Sequence, residues 1–242
     1  MSAPGQTHDF GRGPRSAHRH CNPDGTHGGW VADTAHVADT AYIGPQAKVY
    51  GTAQIRDEAR ITGEARIFGH ATVCDRARIS GTAQVSDRAR CCGDARVSEN
   101  AELKGDAQVG GTVRIRGKTW VRGNARILER AQVRDDAIVE GDAVIEGDAV
   151  VDGDARVSGL ARVGEHAWVG GYAEVKGTAV VAAHTHVVGR TVLDGSEAHA
   201  AVPGAAQESG PPVPSAGPLP DAGPARTAEL GEECDLENDM GR

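Results

Sequence analysis

The sequence predicts an all-β solenoid, and three observations predict it. From Val31 to Leu193 an aliphatic residue returns at every sixth position (Val31, Val37, Ile43, Val49, Ile55, Ile61 and onward), with Cys91 the one departure in type. Two places before each sits a small residue, usually Ala, as at Ala35, Ala41, Ala47 and Ala53. Two places after each sits Gly, or otherwise most often Asp or Glu. The unit reads A-x-V-x-G-x.

Six is even, so on a strand the Ala and the aliphatic residue of every unit point to the same side. On an α-helix six residues turn through about 600°, and the apolar positions would scatter over three faces. Gly at nearly every sixth residue would also cost such a helix about 1 kcal/mol each. Val and Ile suit a pleated surface, and Gly or Asp marks a corner that needs positive φ. Each unit is therefore a short strand and a two-residue corner. One such strand buries almost nothing alone, so neighbouring turns must stack.

This insertion-free array resembles the hexapeptide-repeat proteins, the left-handed parallel β-helix family. The resemblance is strongest to an insertion-poor branch of bacterial and phage proteins that often carry acyltransferase names. Their solenoid opens after a Gly-Gly-Trp, here Gly28-Gly29-Trp30. It implies a left hand, three units per triangular coil, about nine coils, vertical stacking of residues eighteen apart, and assembly as trimers with parallel axes.

In chain order, residues 1–29 are rich in Gly, Pro, Ser and His without periodicity, and read as a disordered leader. His18, His20, Cys21 and His27 within it match no standard zinc spacing. The solenoid occupies 30–195, with Trp30 expected to staple the first coil. Residues 196–242 are rich in Pro, Ala and Gly and end in an acidic run through Glu232, Glu233, Asp235, Glu237 and Asp239; they read as a disordered tail that could reach a basic surface of the same chain.

With a net charge of −8 over 242 residues, the chain is not a general nucleic-acid binder. Aromatics make up 3%, too few for a conventional globular core but enough for a narrow prism filled by Ala, Val and Ile. No apolar stretch is long enough for a membrane helix, and the N-terminus lacks the apolar core of a secretory signal. Five cysteines, two of them outside the repeats, make no disulfide framework, so a cytoplasmic location is expected. Cys74 and Cys92, which stack, are expected to be reduced.

Stacking by eighteens gathers four candidate groups. Arg60, Arg78, Arg96 and Arg114 form one column, with Arg116 and Arg134 beside it. This is an anion-binding candidate for a phosphate-bearing ligand or an acidic partner, or else a solvated face whose arginines find nearby acids. Ile138, Val144, Val150 and Trp168, extended by Val180 and Val192, make an apolar band at outward positions; an acidic girdle of Asp135, Asp136, Glu140, Asp142, Glu146, Asp148, Asp152 and Asp154 rims it. The band is an interface candidate. Asp39, Asp57 and Asp75 replace Gly at one corner and need no ion to explain them. His166 and His184 stack at a corner beside Glu165 and near Asp148.

The family resemblance implies a histidine base between subunits, acting on acetyl-CoA or another acyl donor. His166 and His184 are the candidates for that role. Against an enzyme stands the absence of any lengthened unit to shape a pocket. The reading favoured here is a rigid structural or protein-interaction scaffold that forms a homo-oligomer, with no cofactor, no nucleic acid and no membrane. An acyl-CoA-dependent acyltransferase is the alternative.

Overall fold

The computed structural model describes residues 6–11 and 13–195. Three strands open the chain: β1 (Thr7–Asp9), β2 (Pro14–Cys21) and β3 (His27–Ala32). Twenty-seven two-residue strands follow, from β4 (His36–Val37) to β30 (Val192–Leu193). They form three sheets, the first running from β1 through β3 to β30, the second starting at β4 and the third at β5 (Tyr42–Ile43), in which each strand from β3 on pairs in parallel with the strand eighteen residues on, as in Val31↔Val49 and Ile61↔Ile79. The chain is a parallel β-solenoid of about nine turns. Among the described residues no helix is long and apolar enough to cross a membrane.

The repeat explains each part. The Ala and aliphatic positions fill the prism, and nearly all are fully buried; Val37, in the first turn, is partly covered. Outward residues donate their amides to the next turn, as Arg60 N does to Ala77 O at 2.9 Å and Thr62 N to Ile79 O at 2.8 Å. Corners turn through positive φ. At Gly117 (φ 85°) a Cβ would lie 2.3 Å from the Asp135 carbonyl oxygen, so only Gly fits.

Acids at other corners do more than tolerate that conformation. Asp57 (φ 56°) accepts a bond from Asp75 N at 3.1 Å, and Asp75 (φ 58°) accepts one from Gly93 N at 2.7 Å. Glu129 does the same for Gly147 N at 2.9 Å. Each carboxylate ties its corner to the amide of the turn above, which offsets the strain of a non-Gly residue there.

The small position is strict because opposing side chains meet across a narrow core. Ala107 is fully buried, and Ala107→Leu is expected to destabilise by about 1–3 kcal/mol through overpacking; an unchanged melting temperature would contradict the inward packing. Thr119 holds the same position, fully buried, with a hydroxyl that has no partner. Val113, also fully buried, shows that Val fits such a site. Thr119→Val should therefore raise stability by about 1 kcal/mol, since an unpaired buried hydroxyl is replaced by a methyl of similar size. A lower denaturation midpoint would count against that account.

The reading of residues 1–29 as a disordered leader fails for the described part. β1 and β2 form an antiparallel hairpin, and β2 pairs antiparallel with β3. The hairpin covers the strand edge that the first turn would otherwise expose. The turn between β2 and β3 is Asn22-Pro23-Asp24-Gly25, closed by Gly25 N to Asn22 O at 2.9 Å and Asn22 N to Thr26 O at 3.0 Å. Two buried side chains then cap the first turn. His20 Nε2 lies 3.1 Å from Ala41 O, and the Asn22 amide accepts from Ile43 N at 2.8 Å and donates to Ile43 O at 3.2 Å.

Rings fasten the hairpin sideways. Trp30 lies between the His8 ring, stacked at 4.6 Å, and the Arg19 guanidinium, 4.7 Å from its centroid. Phe10, Tyr50 and Phe68 stack at 4.9 and 5.0 Å. Burial, then Lys48 and Arg19, hold the His8 pKa below its ordinary 6.5, with Asp9 acting in the other direction. The native cap thus prefers neutral imidazole. Its full stability is present above pH 6.5 and is lost as pH falls from there towards the lower native value. Amide protection across residues 7–21, taken relative to the intrinsic exchange rate at each pH, should be lower at pH 5.5 than at 7.5, and His8→Gln should remove most of that difference.

Candidate functional site

The candidate histidines sit on neighbouring corners of one edge. The His166 and His184 rings are parallel, 4.9 Å apart. Their positions follow from the corner geometry, because the side chain after a positive-φ residue (Glu165, Ala183) projects along the prism edge. His166 Nε2 lies 3.6 Å from Asp148 Oδ2, and the same oxygen accepts from Arg130 Nη2 at 2.6 Å. The histidines, Asp148 and Arg130 line an open recess with Glu129, Glu146, Glu165 and Arg162. Here a general base would have a carboxylate nearby, beyond hydrogen-bond distance, and little enclosure.

The arginine column stands on the third sheet, in exact register Arg60↔Arg78↔Arg96↔Arg114. All four side chains are exposed. Arg134, in the adjoining column, is paired with Asp152 at 2.7 Å.

The apolar band divides. Ile138, Val144, Val150 and Trp168 are half-buried, each covered in part by its stacked neighbours. The Trp168 indole is tied to Asp152 Oδ1 by a 2.8 Å bond and meets the His186 ring edge-on at 5.4 Å. The more exposed apolar side chains are Leu160 (59%), Val180 (56%) and Val192 (54%). The last two end the second and first sheets, and Leu160 lies on the corner between those sheets. Tyr172 is exposed at a different corner, under Arg190.

The acidic girdle is no free rim. Glu140 meets Arg122 at 2.6 Å, Asp148 meets Arg130 and Asp152 meets Arg134, always eighteen residues apart. Asp142 accepts from Asn124 at 2.9 Å. The girdle is the counter-layer of the basic turn below it.

Cys74 and Cys92 correct another expectation. They are joined as a disulfide between neighbouring turns, with Cα atoms 4.7 Å apart, because parallel in-register stacking brings their side chains together. Asp75 lies close to both sulfurs. Cys91 is buried in the core, and burial pushes its thiol up to about 12, so it stays protonated and unreactive.

No family model matches the chain, and no curated protein matches it. What the fold and these side chains define is a class: a parallel β-solenoid of about nine turns with a capped N-terminal end and chemistry confined to its outer columns.

Proposed function

We propose that the chain is a rigid scaffold of the hexapeptide-repeat type that self-associates side by side. The observation that carries this reading is the exposure, by more than half, of Leu160, Val180 and Val192 in the last turns, on two adjoining sheets and the corner between them. Large exposed apolar side chains lower their free energy by packing against a partner, and a second copy presents the same surface. Sedimentation of the full chain should show an oligomer, and Leu160→Glu with Val180→Glu should reduce it to monomer without changing the circular dichroism. A wild-type chain that stays monomeric at high concentration would end this reading.

A second reading rests on the His166–His184 edge. Under it, His166 or His184 deprotonates an acceptor, Asp148 stands near the ring, and acetyl-CoA is the donor, with a neighbouring copy closing the recess. A rise in melting temperature with millimolar acetyl-CoA or CoA, lost in His166→Ala or His184→Ala, would favour it. Absence of any shift would favour the scaffold alone.

A further inference from the structure

Four arginines elsewhere on the prism are each answered by an acid eighteen residues on: Arg76 by Asp94, Arg122 by Glu140, Arg130 by Asp148, Arg134 by Asp152. On the third sheet the same offset returns arginine to arginine three times running. None of Arg60, Arg78, Arg96 and Arg114 is in an ion pair among the described residues. Of the nearby acids, Asp94 is bound to Arg76, Glu58 and Glu64 are exposed at corners, and Asp24 acts on Arg60 through space without an ion pair. Like charges about 4.8 Å apart repel, and four arginines in succession carry that cost further than the single Lys48↔Arg66 step on another sheet.

The neighbouring column supplies hydroxyls where acids could have stood. Thr62, Ser80 and Ser98 line a shallow groove together with Arg60, Arg78 and Arg96. The first three rungs therefore pair a planar guanidinium fork with a hydroxyl, that of Thr62 reaching Ile79 O at 3.5 Å, and the fourth adds the Arg116 guanidinium, on an evenly spaced support. A phosphate inside a chain has two free oxygens and can take a guanidinium from each of two rungs on them, with a hydroxyl donating to either.

We propose that this ladder binds a linear polyphosphate anion lying along the prism. Spacing and chemistry select that ligand. An extended acidic peptide presents same-face carboxylates about 6.7 Å apart and would leave register with the rungs within a few residues. Single-stranded nucleic acid is held by aromatic platforms as well as charge. The outward positions on these four rungs are Arg, Ser and Thr, and the nearest ring, Tyr42, lies under the Arg60 guanidinium at 5.6 Å. A flexible chain with a phosphate at every link can place charges on successive rungs without bases to accommodate.

The test is a titration of the full chain with medium-length inorganic polyphosphate at several salt concentrations, beside oligothymidylate of matched charge. Saturable binding is expected, with a log–log salt slope near −3 for four contacts at about −0.7 each. Arg78→Gln with Arg96→Gln should weaken it at least about tenfold. Gln is already the next occupant of this column, at Gln132, so the double variant should keep the circular dichroism and melting temperature. Arg66→Gln with Arg126→Gln, exposed arginines on the other two sheets, should leave affinity unchanged. The proposal is overturned by no saturable binding at low salt, by equal losses in the two double variants, or by oligothymidylate binding as tightly as polyphosphate.

Discussion

Gly29→Ala is expected to detach the N-terminal cap from the first turn and to destabilise the chain by about 3 kcal/mol or more. A Cβ at Gly29 would lie 2.1 Å from the Ala47 carbonyl oxygen and 2.6 Å from that of Gly44. Both are backbone atoms of the next turn, fixed in their own ladder, so neither can rotate away. At Gly28 the Cβ would meet Ile43 O at 2.6 Å. The two glycines let β3 run against the turn below it, and Trp30 N can then bond Ala47 O at 3.2 Å. A solenoid is quasi-one-dimensional, so the loss should appear first as faster amide exchange in residues 7–43 and only then as a lower melting temperature. Wild-type exchange in that segment would refute the close-approach account.

That result would also explain the Gly28-Gly29-Trp30 signature, which the sequence presents but cannot interpret. The repeat itself was fully legible, because a period of six on strands of period two leaves one choice of inward face. The corner conformation was legible too, from Gly and Asp. Not legible was the second use of the corner acids: the bond from Gly93 N to Asp75 needs the height of the next turn, which composition does not carry.

The charges show where a further step of inference was available. Reading the acidic girdle along the chain makes it a block of one sign. Reading it at an offset of eighteen pairs Glu140 with Arg122 and Asp152 with Arg134, as the structure does. The same offset shows the Arg60 column as four arginines in succession. The hairpin was hidden for a different reason. β2 buries Ala17 and His20 across a register shift between Arg19 and Cys21, so it shows no alternation. The Asn22-Pro23-Asp24-Gly25 run was the signal that could have found it, since such a run between two extended segments marks a hairpin turn.

Asn22 should prove the most sensitive polar residue of that hairpin. Its side chain is buried and bonds both backbone groups of Ile43, which belongs to the first turn and has no strand below it in its own sheet. Asn22→Ala removes an acceptor and a donor at once and leaves a buried N–H and C=O unpaired. At about 1–3 kcal/mol per group, the expected loss is about 2–5 kcal/mol. Asn22→Asp separates the two halves of the interaction. The carboxylate can still accept from Ile43 N but faces Ile43 O with no proton, so at neutral pH it should be at least as damaging as Ala. Protonation would return the missing donor, so the Asp variant should recover part of its loss as the pH is lowered through the carboxylate range, relative to wild type over the same range. The Ala variant has no group to protonate and should not. Equal acid responses in the two variants would show that Asn22 holds the hairpin turn alone, and that the first turn is capped by something other than its amide.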